Sequence, residues 1–285
     1  MPFSIQMVAL RSSLSFRMQN TVRGPLFGIS RQSHNIPFTK GLGETKPFSL
    51  ICPELTTKSV CERTASKLPT YNILGSGMIL IKNYISLKDQ VDIVNVCQKW
   101  GMGPGGFYQP SFQNGAKLQF QMMCFGRNWD PVTKYNKSYR SDGSEPPPLP
   151  KELTSLTKTI VQDAQAHLVE LPSMHPDICI VNFYQLSGRL GLHQDRDESY
   201  DSLRRGLPVV SISIGDSAVF LYGHSRDKTK CEKVVLDSGD VFIFGGKSRL
   251  VYHGVKQIIP NSCPLPLLQE TALIPGRLNL TLRQF

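Results

Sequence analysis

The sequence predicts an α+β protein in which a jelly roll or a related barrel follows an N-terminal α/β segment. Three observations support this fold class. From residue 177 onward, short runs with the apolar or alternating pattern of strands follow one another, with glycine-bearing turns and no clear helices between them. Two amphipathic segments of helical period lie upstream. The 285 residues suffice for one large domain or two small ones.

Periodicity, together with capping and turn residues, places the elements in chain order. Structure is predicted to begin at Gly75, so residues 44–74 are interpreted as a linker and residues 75–176 as an N-terminal extension. The extension contains predicted strands at 78–81 and 117–123 and predicted helices at 87–100, with Ser86 as the N-cap, and at 151–170. The core at 177–285 contains predicted strands at 178–184, 209–214, 218–222, 233–236, 241–244, 250–253 and 277–283.

The first 43 residues carry five cations and no acid, which is half of the net charge of +10. The segment is rich in serine and has no uninterrupted apolar core, a composition typical of an organellar transit peptide rather than of a secretory signal. A disordered basic tail is the alternative. We therefore expect an organellar protein, in the chloroplast or the mitochondrion, with the nucleus and cytoplasm as alternative compartments.

The charge, hydropathy and cysteine content also indicate which binding partners to expect. The positive charge outside the first 43 residues is compatible with a polyanionic partner such as nucleic acid. No apolar run reaches the roughly 18 residues that a membrane span needs, so no membrane partner is expected. The seven cysteines form no CxxC pair, which favours reduced thiols inside the cell. We expect a monomer.

A candidate metal site lies in the predicted core. His193 and Asp195 are two residues apart, so on an extended segment both side chains leave the same face. His253 follows an apolar strand in the same β-rich region and could complete a two-histidine, one-carboxylate face. Such a face suits Fe(II), because half of the coordination sphere stays open. Hydrogen bonding of a histidine and an aspartate in a surface turn is the alternative for the first pair.

The C-terminal run at 277–283 alternates polar residues with leucines, so Arg277, Asn279 and Arg283 share one face of a strand. A guanidinium holds a carboxylate in a bidentate fork, which suggests a dicarboxylate ligand. The two arginines lie roughly 20 Å apart along an extended strand, so they have separate roles unless the strand bends. Asn182 and Tyr184 offer further polar contacts. A solvated strand face is the alternative.

Together these motifs resemble the catalytic domain of the AlkB family, whose members are Fe(II)- and 2-oxoglutarate-dependent dioxygenases with a double-stranded β-helix fold. The resemblance is strong from residue 177 onward, weaker at 75–149, and absent from residues 1–70. The segments that carry it are 182–184, 192–198, 210–213, 238–240, 245–250, 252–254 and 277–283.

The resemblance implies roles for individual residues. His193, Asp195 and His253 would ligate iron, and O2 would take an open position. Arg277 would pair with the distal carboxylate of 2-oxoglutarate, with Asn182, Tyr184 and Asn279 nearby and Arg283 at the far end. Residues 75–176 would include a nucleotide-recognition lid. The resemblance places Trp129 and Tyr135 in this lid, as aromatic residues that could stack on a flipped base or pack in the core, and it places Asp197 against the base.

The implied activity is oxidative demethylation of N-methylated bases, with release of formaldehyde, succinate and CO2. The chain is most similar to the eukaryotic homologue-one branch, which implies N-methyladenine in DNA or RNA. The sequence leaves open DNA or RNA as the substrate, and N6-methyladenine, N1-methyladenine or 3-methylcytosine as the base. Two other functions remain: the same iron chemistry on a protein or small molecule, and a binding module that recognises modified bases without turnover.

Overall fold

The structure is a computed structural model that describes residues 47–52 and 68–285. The predicted transit peptide and much of the predicted linker lie outside these residues. Two described parts of that linker belong to the fold instead. Leu50 is fully buried, its N–H donates to Oε1 of Gln98 at 2.7 Å, and Ile51 pairs with Leu273. The first strand begins at Thr70, ahead of the predicted start.

Two antiparallel sheets form the core, and the predicted jelly roll is confirmed. The larger sheet has the strand order β1-β2-β9-β6-β11-β4-β3 and the smaller sheet has the order β5-β10-β7-β8. The larger sheet consists of β1 (Thr70–Gly75), β2 (Met78–Lys82), β3 (Gln121–Phe125), β4 (Ile178–Tyr184), β6 (Val209–Gly215), β9 (Val241–Phe244) and β11 (Arg277–Arg283). The smaller sheet consists of β5 (Leu190–His193), β7 (Ala218–Gly223), β8 (Glu232–Leu236) and β10 (Tyr252–Ile258).

The alternating residues of strand β11 face two different environments, the apolar core and the space between the sheets. It pairs with β4 on one side and with β6 on the other, so it lies inside the larger sheet. Its leucines belong to the core that the helices α1 (Leu87–Gly101) and α2 (Lys151–Gln165) cover. Its polar residues point into the space between the two sheets, because side chains alternate along a strand. The aromatic pair Phe220 and Phe242, with ring centroids 5.1 Å apart, joins the sheets across that space.

The two predicted helices form, with one difference in length. Oγ of Ser86 accepts the N–H of Asp89 at 3.2 Å, which confirms the predicted cap of α1. The second helix ends at Gln165 rather than at residue 170. Beyond it the chain turns, and Nε2 of Gln165 donates to the carbonyl oxygen of Leu171 at 2.8 Å. Two short helices were not predicted, α3 (Tyr200–Arg204) and the proline-flanked α4 (Leu265–Thr271).

Two predicted strands are displaced. The strand expected at 117–123 runs from Gln121 to Phe125, because its pairing with β4 is set by the buried pair Phe125 and Cys179 and not by alternation upstream. The strand expected at 250–253 begins at Tyr252 and continues to Ile258. His253 therefore lies near the start of a longer strand rather than at its end.

The N-terminal extension and the core share one sheet. Strands β2 and β3 come from the predicted extension, yet β2 pairs with β9 and β3 pairs with β4 of the core. The described residues all fall within one compact unit, Thr45–Phe285. The predicted boundary after residue 176 therefore separates two stretches of one domain. Among the described residues, no helix is long and apolar enough to cross a membrane.

Candidate metal centre and co-substrate cavity

Strands β5 and β10 bring two histidines and an aspartate together. His193 ends β5 and lies directly across from His253 in β10, and Asp195 lies two residues beyond the end of β5. Nε2 of His193 is 3.5 Å from Oδ1 of Asp195, and Nε2 of His253 is 3.6 Å from Oδ2. One nitrogen or oxygen of each residue lies within 4.8 Å of the others. This spacing suits three ligands on one face of a metal ion.

Both imidazoles are already oriented for metal binding. Nδ1 of His193 is 3.0 Å from the carbonyl oxygen of Gly191, and Nδ1 of His253 is 3.1 Å from that of Val251. A carbonyl oxygen only accepts, so each Nδ1 carries the proton and donates. Each Nε2 therefore presents a lone pair toward Asp195. This arrangement fixes the tautomer that a metal-binding histidine needs.

A buried charge network holds the aspartate. Nη2 of Arg283 is 2.8 Å from Oδ2 of Asp195, and Nη1 donates to Oε1 of Glu198 at 2.8 Å. Arg249 donates to the backbone carbonyl of Asp195 and, at 2.9 Å, to Oε2 of Glu198. Two guanidiniums and two carboxylates balance one another in charge. The ligand is thus fixed through both its side chain and its backbone.

The electrostatics keep the aspartate ionised. Burial alone would raise the pKa of Asp195, but the Arg283 guanidinium beside it holds that pKa well below its usual range. Burial lowers the pKa of His253, which favours the neutral imidazole that binds metals. The contact of Arg283 with Oδ2 of Asp195 is an ion pair that is not aligned as a hydrogen bond. Among the described residues, Oδ2 has no hydrogen-bond partner. It keeps lone pairs for a cation.

The polar face of β11 provides a buried cation for an acidic ligand. Arg277 is fully buried, and its Nη2 donates to Oγ of Ser213 at 2.9 Å. Its Nε and Nη1 have no hydrogen-bond partner among the residues that the structure describes. Burial lowers the pKa of Arg277 to about 10, so it stays charged at neutral pH. A buried guanidinium with two unpartnered nitrogen donors is costly unless an anion binds it, which fits a carboxylate.

The residues predicted beside this cation are also present. Tyr184 pairs with Arg277 across β4 and β11, and the guanidinium lies 5.7 Å from its ring centre. Burial raises the pKa of Tyr184 to about 12, so its hydroxyl keeps its proton. The amide of Asn279 donates to Oγ of Ser211 at 2.8 Å and is thereby fixed. Asn182 has a buried amide oxygen without a hydrogen-bond partner among the described residues.

A narrow cavity of about 40 Å3 leads from the triad into the space between the sheets. Its walls include the triad, Asn182, Tyr184, Asn279 and Arg283. The residues fit the two groups that the resemblance implies. Two Nε2 atoms and a carboxylate face suit Fe(II), and the free N–H groups of Arg277 suit the far carboxylate of 2-oxoglutarate.

A larger cavity of about 350 Å3 opens on the other side of the triad. This volume lies within the range of about 300–1,000 Å3 for ligand pockets. Trp129 and Asp197, both predicted as substrate contacts, line it. Nε1 of Trp129 donates to Oδ2 of Asp197 at 2.9 Å, and Nζ of Lys134 is 3.3 Å from the same oxygen. The apolar part of the wall consists of Phe112, Leu118, Phe120, Met122, Pro131, Ile180 and Leu190.

The structure places Tyr135, expected either to stack on a base or to pack in the core, among packed side chains. It does not line the larger cavity; its hydroxyl donates to Oε1 of Glu198 at 3.3 Å, and its ring packs on Phe285 at 5.3 Å. Glu198 and Arg249 were not assigned roles from the sequence. The signal that could have found them is that both lie in segments that carry the resemblance, 192–198 and 245–250.

Comparisons with known proteins agree with this geometry. The model of the 2OG-Fe(II) oxygenase superfamily matches residues 77–283. The chain is 51% identical over 244 residues to the DNA N(6)-methyladenine demethylase ALKBH1C of Arabidopsis thaliana, covering 82% of this chain and 54% of that protein. It is 32% identical over 171 residues to the tRNA demethylase abh1 of Schizosaccharomyces pombe, covering 58% of this chain and 53% of that protein.

A solved structure of OsALKBH1 superimposes with a TM-score of 0.72 and 50% sequence identity, covering 76% of this chain and 100% of that chain. The chain spans about half the length of the curated relatives it matches. The matched segment contains the whole triad and both arginines of β11. The chain therefore belongs to the AlkB family of the 2OG-Fe(II) oxygenase superfamily, and its cofactors are Fe(II) and 2-oxoglutarate, with O2 as the oxidant.

Proposed function

We propose that this protein is an oxidative demethylase of N-methylated bases in DNA or RNA. The larger cavity carries this proposal, because its apolar and aromatic wall ends at the candidate iron ligands. A planar base could enter between Trp129 and the opposite apolar wall, with its methyl group toward His193 and Asp195. The names of the relatives, demethylases of DNA and of tRNA, support a nucleic-acid substrate of this kind.

The chemistry of the site divides between cofactor and protein. When bound, Fe(II) with 2-oxoglutarate activates O2, so that one oxygen atom enters a methyl C–H bond and the other enters succinate, with release of CO2. The resulting N-hydroxymethyl group loses formaldehyde and leaves the unmodified base. The chain supplies the three ligands, and the cation at Arg277 anchors the co-substrate.

The cavity wall orients the base. Asp197 is held in place by Trp129 and Lys134, which leaves its carboxylate at the cavity as an acceptor for a base N–H. The apolar residues opposite exclude water from the methyl group. Adenine and cytosine both carry an exocyclic amino group, so this acceptor suits N-methyladenine and 3-methylcytosine alike.

Mass spectrometry of matched oligonucleotides tests the proposal. DNA and RNA strands containing N6-methyladenine, N1-methyladenine or 3-methylcytosine are incubated with Fe(II), 2-oxoglutarate and O2. We expect formaldehyde and succinate in equal amounts from at least one of them, and His193→Ala as the control to release neither. Turnover of 2-oxoglutarate without formaldehyde from any strand would favour a protein or small-molecule substrate instead.

The compartment is a separate proposal. The basic, acid-free composition of residues 1–43 supports import into the chloroplast or the mitochondrion. A fluorescent fusion of these residues should enter an organelle, whereas replacing their five cations with glutamine should leave it in the cytoplasm. A diffuse signal from the unaltered fusion would support the nucleus and cytoplasm.

A further inference from the structure

A basic groove lies on the outer face of the smaller sheet. The groove encloses about 430 Å3 and is formed by β5, β7, β8, β10 and the loop between β7 and β8. No acidic residue in the described part of the chain lines it. Its four cations are exposed, and none of them forms an ion pair within the described part of the chain. They are Arg189, Lys228, Lys233 and Lys256.

The floor of the groove is formed by buried side chains and a hydrogen-bonded loop. Leu192 and Leu221 line it and are almost fully buried, although they lie on the outer side of the sheet. The loop beside them is held by Asp227, whose Oδ1 accepts both the hydroxyl of Thr229 at 2.7 Å and its N–H at 3.0 Å. This carboxylate is thus already engaged. Glu232 precedes Lys233 in β8, so the two side chains leave opposite faces of the strand.

The groove adjoins the larger cavity. Leu190 lines both of them, and β5 continues from Leu190 to His193 at the candidate iron site. Arg226 lines the larger cavity, and two residues later Lys228 lines the groove. A path of cations therefore runs from the mouth of the base cavity onto the outer face of the smaller sheet.

We propose that the groove binds the phosphodiester backbone of the strand that carries the target base; this inference rests on the proposed function. Separate, solvated cations make a poor site for one small phosphate, because the described residues that line the groove include no buried polar side chain to bind it. A row of phosphates is different, because each neutralised phosphate releases condensed counterions. The shared wall at Leu190 lets one strand place a base in the cavity and its neighbouring phosphates in the groove.

Fluorescence anisotropy with the full chain tests this assignment. The probes are an unmethylated 20-nucleotide single strand of DNA and its RNA equivalent, titrated at several salt concentrations. The groove variant carries Lys228→Glu, Lys233→Glu and Lys256→Glu. The control variant makes the same charge change on the helices α1 and α2, at the exposed residues Lys99, Lys151 and Lys158.

We expect the groove variant to raise Kd at least tenfold and the control to stay within twofold of the wild type. The slope of log K against log salt should become shallower by about 2, since each contact to a single strand contributes about 0.7. A groove variant that binds as the control does would overturn the proposal. Poly-glutamate that binds the wild type as tightly as the oligonucleotide, and loses affinity in the groove variant, would assign the groove to an acidic protein segment.

A second readout separates this inference from the proposed function. A methylated nucleoside can enter the cavity but carries no phosphate for the groove. The groove variant should lose at least ten times more kcat/KM on a methylated 20-nucleotide strand than on the nucleoside, and equal losses would contradict the groove. If the wild type releases no formaldehyde from either substrate, the proposed function fails, while the anisotropy result still decides whether the groove binds a backbone.

Discussion

Glu198 offers a sharp perturbation of the iron site that does not touch a ligand. Its carboxylate is buried between Arg249, at 2.9 Å, and Arg283, at 2.8 Å, and both arginines also contact Asp195. Glu198→Gln keeps the shape of the side chain and removes its charge. The network then holds two guanidiniums against one carboxylate, with an uncompensated positive charge beside the metal position.

The expected size of the effect follows from the contacts. A unit charge pair about 4 Å apart contributes about 4 kcal/mol at an effective dielectric of 20. Glutamine keeps some hydrogen bonding, so we expect a loss of about 3–5 kcal/mol, as for other broken buried pairs. For a domain of this size that lowers Tm by roughly 10 °C. Without the Glu198 charge, Arg283 interacts more strongly with Asp195 and competes with the metal for its carboxylate. This should weaken Fe(II) binding by about 10–100-fold.

Thermal unfolding and anaerobic metal titration measure the two effects. Glu152→Gln, an exposed glutamate on α2, is the control and should change neither. The double variant Glu198→Leu/Arg249→Met removes opposite charges together and should recover much of the lost Tm. If Glu198→Gln kept Tm within 2 °C and metal affinity within about twofold, the network would not position the ligand.

Three further changes test other parts of the molecule. Arg277→Met should weaken 2-oxoglutarate binding about 100-fold or more in isothermal titration and leave the Tm of the ligand-free protein unchanged or higher, because the variant removes two unpartnered buried nitrogen donors; a full loss of fold would contradict this. Trp129→Phe removes the hydrogen bond to Asp197 and should raise KM for a methylated strand about tenfold, with KM for 2-oxoglutarate unchanged. Leu280→Ala, in the core under the helices, should cost about 2–5 kcal/mol in urea unfolding without altering either KM.

Local patterns in the sequence predicted much of the fold. Strands β4, β9 and β11 have the predicted bounds, because β4 is an apolar run broken only by Asn182, β9 is an uninterrupted apolar run, and β11 alternates strictly. Strand β5 was not predicted, since its four residues include a glycine and too few positions to show a period. Strand β3 is displaced from the predicted strand at 117–123, because tertiary pairing with β4, and not its own alternation, sets its bounds.

The same distinction between local patterns and long-range contacts holds for the candidate site. The triad and the arginine face depend on spacing within one strand or on a recognisable motif, so they could be read from the sequence. The contact of Glu198 with Arg249 joins residues 51 positions apart, and neither has a periodic pattern that points to the other. The position of Tyr135 depends on how a loop folds over this pair, which no local rule determines. Polar contacts between residues far apart in the chain are therefore the features of the site that only the structure reveals.

Anaerobic absorption spectroscopy tests most directly whether the triad holds Fe(II) together with 2-oxoglutarate. The keto acid chelating Fe(II) gives a visible charge-transfer band that neither component gives alone. We expect this band in the wild type at one Fe(II) per chain, a strong reduction of its intensity in Asp195→Ala, and a shift of its half-saturation to much higher 2-oxoglutarate in Arg277→Met. An undiminished band in Asp195→Ala would contradict the assignment of the metal centre.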